Sequence, residues 1–231
     1  MMSSIAVIIP ALNEAGNIRQ LVKEILITER VEVLVVDNGS IDDTAQEAKL
    51  AGAKVVCEPR RGYGYACAAG VAATQEADIL VFIDGDGSFS PAELPAILKP
   101  LLKGEADLVL GSRVLGQIAP GSMPSHQRFG NWLASRLMNV IYRLTITDLG
   151  PYRSIRRDLL QQLNMKEMTF GWPTEMIVKA ARQGSKIVEV PVSYHSRQSG
   201  RSKVSGTLRG SLLAAWFILG VTLRYAWKRH R

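Results

Sequence analysis

Three observations predict a doubly wound α/β fold, with a mostly parallel sheet flanked by helices. Short apolar runs alternate with helical stretches through the first half of the chain. One of these runs, 79–83, is apolar without a break, as in a strand buried on both faces. Polar residues collect just after the runs, where the strands of such a sheet end. Taken in order, 5–9 is the first strand, and Ile18, Leu21, Val22, Ile25 and Leu26 then recur at helical spacing. Residues 31–36 read as the second strand, 42–51 as a helix closed by Gly52, and 54–57 as a third short strand. A glycine-rich turn over 60–64 leads into a helix of small residues, and 79–83 follows. Ser90, Pro91 and Glu93 mark a helix start, with Ser90 as cap, Pro91 in the first turn and Glu93 completing a capping box. Residues 107–110 form the next strand. The second half is less regular: an amphipathic helix over 129–142, a short strand over 151–155, a helix over 173–182 ended by Gly184, a strand over 186–190, a polar loop over 195–206 and an apolar helix over 208–227.

The chain of 231 residues is 47% hydrophobic and 21% charged, which excludes a disordered chain, a collagen and a coiled coil. Residues 1–206 are expected to form one domain with a core large enough to need no disulfides, and 207–231 a basic, apolar C-terminal helix. Cys57 and Cys67, the two cysteines, make neither a disulfide framework nor a four-ligand zinc site, which suits a reducing, cytoplasmic setting. The apolar start at 5–9 is too short for a signal core and runs straight into Pro10, Asn13 and Glu14. His126, His195 and His230 show no metal-ligand spacing.

The net charge of +7 is unevenly placed. Residues 190–231 hold eight basic residues and no acidic one, so the rest of the chain is close to neutral. Such a tail attracts phosphates, whether in nucleic acid, anionic lipid or a phosphorylated substrate. Within it, 210–223 is free of charge, and its 14 residues span roughly 21 Å as a helix. A bilayer core needs about 30 Å. With Arg209 and Arg224 at the ends, Trp216 within, and Trp227, Lys228 and Arg229 beyond, the segment reads as interfacial or re-entrant and not as a secure span, which puts the protein at the periphery of a membrane on its cytoplasmic face. An oligomer or membrane-protein contact is the other use of such a helix.

The sharpest chemical signal is Asp84-Gly85-Asp86 after the 79–83 strand. Carboxylates two positions apart at a strand end point the same way, into the crevice where parallel α/β sheets bind ligands. Their repulsion is relieved by a cation, and hard oxygen ligands suit Mg²⁺ or Mn²⁺ completed by diphosphate oxygens. An EF-hand is excluded, because Phe89 and Pro95 stand where its glycine and last glutamate belong. Pro10-Ala11-Leu12-Asn13-Glu14 follows the first strand and Asp37-Asn38-Gly39-Ser40 the second, so three strand ends present polar groups to one crevice.

Together these three segments resemble the nucleotide-sugar-binding half of family-2 glycosyltransferases, which use the fold called GT-A, and in particular the dolichyl- or polyprenyl-phosphate mannose or glucose synthases. The resemblance implies a UDP- or GDP-hexose donor, with Pro10, Leu12, Glu14, Asp37 and Asn38 at the nucleoside and Asp84, Gly85 and Asp86 at metal and diphosphate. Asn38 stands where the family has a second Asp, and Gly85-Asp86-Gly87-Ser88 replaces Ala-Asp-Leu-Gln. Arg61 and Gly62, in Arg60-Arg61-Gly62-Tyr63-Gly64-Tyr65, become a turn that approaches the donor; the other reading is a helix start made of small residues for close packing. Cys67 stands where a dinucleotide fingerprint needs its third glycine.

By the same resemblance Arg113 and Arg128 grip the phosphate of a lipid-phosphate acceptor, a task suited to guanidinium groups. Asp148-Leu149-Gly150-Pro151-Tyr152-Arg153 resembles the family's Asp-x-x-Ser-Gly-x-Arg segment. Asp148 then orients the acceptor, serves as a base toward a hydroxyl acceptor, or simply pairs with Arg153 or caps a turn. Glu175 lines the acceptor pocket or favours a helix dipole. Arg197, Arg201, Ser202 and Lys203 match a mobile Arg-x-x-Gly-x-Ser-Lys loop that closes over the phosphates and stabilises the leaving diphosphate. The expected activity is a metal-dependent, inverting hexosyltransferase with a polyprenyl phosphate acceptor. Its rivals are a transferase to a soluble or cell-envelope hydroxyl, a nucleotidyltransferase, and a basic lipid- or nucleic-acid-binding module. Few aromatics are interleaved with the basic residues, so nucleic acid is not an expected partner.

Overall fold

The computed structural model describes residues 3–197, 199 and 208–227. Its elements are β1 (Ile5–Ala11), α1 (Ala15–Thr28), β2 (Glu32–Asp37), α2 (Thr44–Leu50), β3 (Lys54–Cys57), α3 (Tyr63–Ala73), β4 (Ile79–Phe82), α4 (Leu94–Leu102), β5 (Leu108–Ser112), α5 (Ser125–Tyr142), β6 (Arg153–Arg156), α6 (Arg157–Leu163), α7 (Trp172–Arg182), β7 (Ile187–Pro191) and α8 (Leu208–Trp227). The strands form one sheet in the order β3-β2-β1-β4-β6-β5-β7. All neighbours are parallel except β6, which runs antiparallel between β4 and β5.

Alternation along the strands builds a core on each side of the sheet. Val7 and Ile9 of β1, with Val33, Val35, Val81 and Val109, face α1 and α4. Ala6 and Ile8, with Leu34, Leu80, Phe82 and Leu110, face α3, α6 and α7. Small residues let α3 lie close to the sheet: a Cβ on Gly70 would come within 2.4 Å of the Ile8 side chain. The parallel register pairs Ala11 with Asp37 and Ile8 with Phe82, so the chain leaves β1, β2 and β4 along one edge.

Four details differ from the sequence expectation. The capping box at Ser90 does not form; Pro91–Glu93 is a 3-10 turn, and the Glu93 carboxylate instead accepts the Ser193 N–H at 2.9 and 3.0 Å. The helix expected from 129 starts a turn earlier, at Ser125 after Pro124. A short helix, α6, follows β6 directly. The second half of α8 is packed into the domain: Val221 and Thr222 are buried, Tyr142 Oη donates to the Thr222 carbonyl at 2.5 Å, and Arg182 donates to the Tyr225 carbonyl at 3.0 Å. Among the described residues no helix is long and apolar enough to cross a membrane.

Candidate active site

The edge where β1, β2 and β4 end is shaped by turns that hydrogen-bond to one another. Asn13 takes a left-handed conformation (φ 52°), and its N–H donates to Ser40 Oγ at 2.9 Å while its Oδ1 accepts the Ile41 N–H at 2.8 Å. The Glu14 N–H donates to Thr44 Oγ1 at 2.8 Å, and the buried Glu14 carboxylate accepts from Asn17 Nδ2 at 2.8 Å. Asp37 accepts the Ser40 N–H at 2.9 Å. Pro10 and Leu12 are half-buried on the same segment.

Asn38 is spent within the protein. Its Nδ2 donates to the carbonyls of Glu58 at 3.0 Å and Arg60 at 2.7 Å, and its Oδ1 accepts the Gly62 N–H at 2.9 Å. A carboxylate has no proton for those two carbonyls, which is a physical reason for Asn where an Asp was expected. The turn that Asn38 shapes carries Arg61 back across Gly39, where a Cβ would meet Arg61 Nε at 3.3 Å. Gly62 and Gly64 are explained by packing, since a Cβ on either would come within 2.4 Å of a backbone carbonyl at Met168 or Glu167.

Asp84 and Asp86 stand at the β4 end of this edge, half-buried, with Gly85 turned toward Ile9, Ala11 and Ile18. Burial, and next the charge of Asp86, push the Asp84 carboxyl up to about 7, against a hydrogen bond from the Tyr63 hydroxyl and the charges of Arg113 and Arg197. Asp86 accepts from Ser88 N–H at 3.0 Å and Ser88 Oγ at 2.6 Å, and its other oxygen lies 3.4 Å from Arg197 Nε. Arg197 also pairs with the Glu14 carboxylate, so it ties the ends of β1 and β4 together. Below them Arg153, fully buried on β6, donates to the carbonyls of Pro173 and Gly150. Burial lowers its guanidinium to about 10.

Among the described residues no group of three or more His, Cys, Asp or Glu side chains could hold a metal. The pair Asp84 and Asp86 nevertheless suits a hard divalent cation. Their mutual repulsion and the guanidinium of Arg197 at Asp86 both mark a place that favours positive charge. Mg²⁺ or Mn²⁺ held there would take its remaining ligands from diphosphate and water.

On the other side of the carboxylates stands Arg113, at the end of β5. Asp148, expected to pair with Arg153 in one reading, pairs with Arg113 instead. Its Oδ2 accepts Arg113 Nε at 2.7 Å and the Arg113 backbone N–H at 2.8 Å, and its Oδ1 accepts Nη2 at 2.7 Å. Both partners are buried, Asp148 completely. Glu189 of β7 holds the Asp148 loop by accepting the N–H groups of Thr147 and Asp148, each at 2.9 Å. The Arg113 guanidinium lies 5.0 Å from the ring centre of Tyr194, whose backbone bridges Phe89 and Ile118. Glu189 and Tyr194 are site-building residues that motif reading missed, because what marks them is contact across the sheet and not spacing.

Other expected residues lie apart from this cluster. Arg128 is exposed in the first turn of α5; its N–H donates to the Pro124 carbonyl at 3.0 Å, and its side chain makes no hydrogen bond or ion pair among the described residues. Glu175 is fully buried in the first turn of α7, where it accepts from Lys179 Nζ at 2.8 Å, Tyr225 Oη at 2.5 Å, and the Lys166 and Glu167 N–H groups at 2.8 Å. It fastens α8 to the domain and so is a packing hub and not part of a pocket wall. Arg201, Ser202, Lys203 and His230 lie outside the described residues.

A seven-stranded, mostly parallel sheet with one antiparallel insertion is the fold called GT-A. Residues 6–163 match the model of the glycosyl transferase family 2, and the chain belongs to that family. It is 42% identical over 211 residues to an uncharacterized glycosyltransferase of Mycobacterium tuberculosis, covering 91% of this chain and 94% of that one. It is 31% identical over 246 residues to an undecaprenyl-phosphate mannosyltransferase of Micrococcus luteus, covering 97% of each. Among solved structures, glucosyl-3-phosphoglycerate synthase of Mycobacterium tuberculosis, in complex with Mn²⁺, UDP and phosphoglyceric acid, superposes with a TM-score of 0.77 over 97% of this chain and 78% of that one. At 24% identity that likeness speaks for the fold.

Proposed function

We propose that this glycosyltransferase moves a hexose, with inversion, from a UDP- or GDP-hexose to a polyprenyl or dolichyl phosphate at the cytoplasmic face of a membrane. The observation that carries the reading is the Arg113–Asp148 pair. It presents a fixed guanidinium beside the carboxylates of β4, and the engagement of both oxygens of the buried Asp148 supports a positioning role for it over that of a base. A phosphate monoester needs no base, because its second ionisation near pH 6 (about 6) leaves it largely dianionic at neutral pH. The relative of Micrococcus luteus named for undecaprenyl phosphate supports the same choice.

In the reaction a phosphate oxygen of the acceptor bonds to the anomeric carbon as the bond to the nucleoside diphosphate breaks. Glu14 and Asp37 would face the nucleoside, and Asp84 and Asp86 the metal-bound diphosphate. Bound there, Mg²⁺ or Mn²⁺ supplies charge neutralisation for the departing diphosphate. Arg197 lies within reach of Asp86 to add to it, with Arg201, Ser202 and Lys203 following in sequence. Arg113 orients the acceptor phosphate; Arg128, at the exposed start of α5, meets it from outside. The phosphoglyceric acid of the structural neighbour supports a second reading, in which the acceptor is a soluble phosphate ester.

The test is nucleoside diphosphate release from a panel of UDP- and GDP-hexoses with Mn²⁺ or Mg²⁺, with and without a short polyprenyl phosphate. Release that requires one donor and the prenyl phosphate is expected. Equal release without it, or release driven by phosphoglycerate, contradicts the lipid acceptor.

A further inference from the structure

Helix α5 exposes apolar side chains that a folded domain ordinarily covers. Phe129, Trp132, Leu133 and Val140 recur at helical spacing on one face and are 62%, 56%, 43% and 74% exposed. The rings of Phe129 and Trp132 lie 5.8 Å apart, so these two form one aromatic patch and not two isolated side chains. The opposite face, Ala134, Ser135 and Met138, is buried against the domain. Val114 and Leu115, directly after Arg113, are each 52% exposed as well.

Charge decides what covers this face. From 108 to 147 the sequence contains Arg113, Arg128, Arg136 and Arg143 and no Asp or Glu. Arg136 shares the ridge, four positions from Trp132 and three from Leu133. A second copy of the chain set face to face would oppose arginine to arginine with no carboxylate of 108–147 between them, a repulsive arrangement for an isologous contact. An anionic bilayer surface satisfies every part: Trp and Phe at headgroup depth, Leu and Val below them, and arginines near the lipid phosphates. We infer that the α5 ridge of Phe129, Trp132, Leu133 and Val140 is the surface by which this protein docks on an anionic membrane.

The ridge is also tied to the candidate acceptor side of the crevice. Asn131, beside Trp132, donates to the Thr147 carbonyl at 3.1 Å and accepts the Leu149 N–H at 3.0 Å, so it holds the two residues flanking Asp148. These bonds link the docking helix directly to the loop that carries Asp148 and so to the Arg113–Asp148 pair. The inference deepens the lipid-phosphate reading by locating where the enzyme meets its acceptor's membrane, but its test is independent of turnover.

The experiment is co-sedimentation of the full chain with vesicles of phosphatidylglycerol and phosphatidylcholine, and with phosphatidylcholine alone. Phe129→Ser, Trp132→Ser and Leu133→Ser combined should lower partitioning onto the phosphatidylglycerol vesicles more than about tenfold, with circular dichroism unchanged. Arg136→Glu should weaken binding to those vesicles alone. A triple variant that binds like the parent overturns the inference. So does a parent chain that is dimeric in vesicle-free sedimentation velocity and becomes monomeric in the triple variant, which would assign the ridge to a protein contact. Turnover of a water-soluble short-chain prenyl phosphate, measured alongside, reads the proposed reaction separately and should be unaffected by the triple substitution.

Discussion

At the ends of β1 and β2, Asn13, Asp37 and Asn38 hang on backbone turns, whereas from the end of β5 onward the polar groups of the crevice are pinned to one another by buried charges. Asn13, Asp37 and Asn38 exchange hydrogen bonds mostly with main chain, and each holds a turn next to it in the fold. Arg113, Asp148 and Glu189 come from three separate elements and are held by a buried ion pair and a carboxylate on N–H groups. The molecule is accordingly more fragile at the buried pair than at the turns. A turn that loses one hydrogen bond can be rescued by water at the surface; a buried ion pair that loses a partner leaves a stranded charge.

The largest expected effect follows from that contrast. Asp148→Ala strands the buried Arg113 guanidinium and should lower unfolding free energy by about 3–5 kcal/mol, read by urea denaturation. If the loss is below about 1 kcal/mol, the two regions are held alike and the comparison fails. Next, Asp86→Ala should reduce turnover by about a hundred- to a thousand-fold, roughly 3–4 kcal/mol of transition-state stabilisation, while denaturation midpoints barely move. A fall in stability matching the fall in activity would mean that Asp86 serves the fold.

Glu175 sharpens the comparison through pH. Burial alone would raise its carboxyl, but hydrogen bonds from Lys179, Tyr225 and the N–H groups of Glu167 and Lys166 outweigh it, and the net shift is downward from 4.5. A carboxylate held below its unfolded value contributes stability that is present above pH 4.5 and is lost as pH falls through its folded value. Glu175→Gln should therefore cost about 1–3 kcal/mol at neutral pH, and the gap between variant and parent should close below that pH. A gap that is constant with pH would show that the charge of Glu175 is not what fastens α8. The smallest effect is expected at Asn38→Asp, which removes two donors from the 58–62 turn: about 1–2 kcal/mol of stability, with a raised donor KM in the release assay.

Much of the N-terminal half was legible because its signals are local. The unbroken apolar run at 79–83 is β4 to within a residue, the run at 5–9 lies within β1, and Asp84 and Asp86 emerge at the strand edge as the two-residue period requires. Gly62 and Gly64 are partly legible: the close-packing reading matches their contact with Glu167 and Met168, but a partner a hundred residues away leaves no local signal. The C-terminal half was less legible for the same reason. Nothing in the order of residues says that β6 inserts antiparallel between β4 and β5, and that insertion is what buries Arg153 beneath Asp84 and leaves Asp148 to Arg113. Glu93 illustrates the limit most plainly. Its spacing from Ser90 suits a capping box, yet a carboxylate three residues into a helix also suits any unpaired N–H nearby, and Ser193 supplies one.

The central claim is that Asp148 positions Arg113 for a phosphate acceptor and does not remove a proton. The most direct test is Asp148→Asn, assayed for kcat and KM toward a polyprenyl phosphate across neutral pH, with the fold checked by its denaturation midpoint. A raised acceptor KM with kcat within about tenfold of the parent is expected. A kcat lower by about a hundred- to ten-thousand-fold, with acceptor KM unchanged, would instead identify Asp148 as a general base and contradict the account.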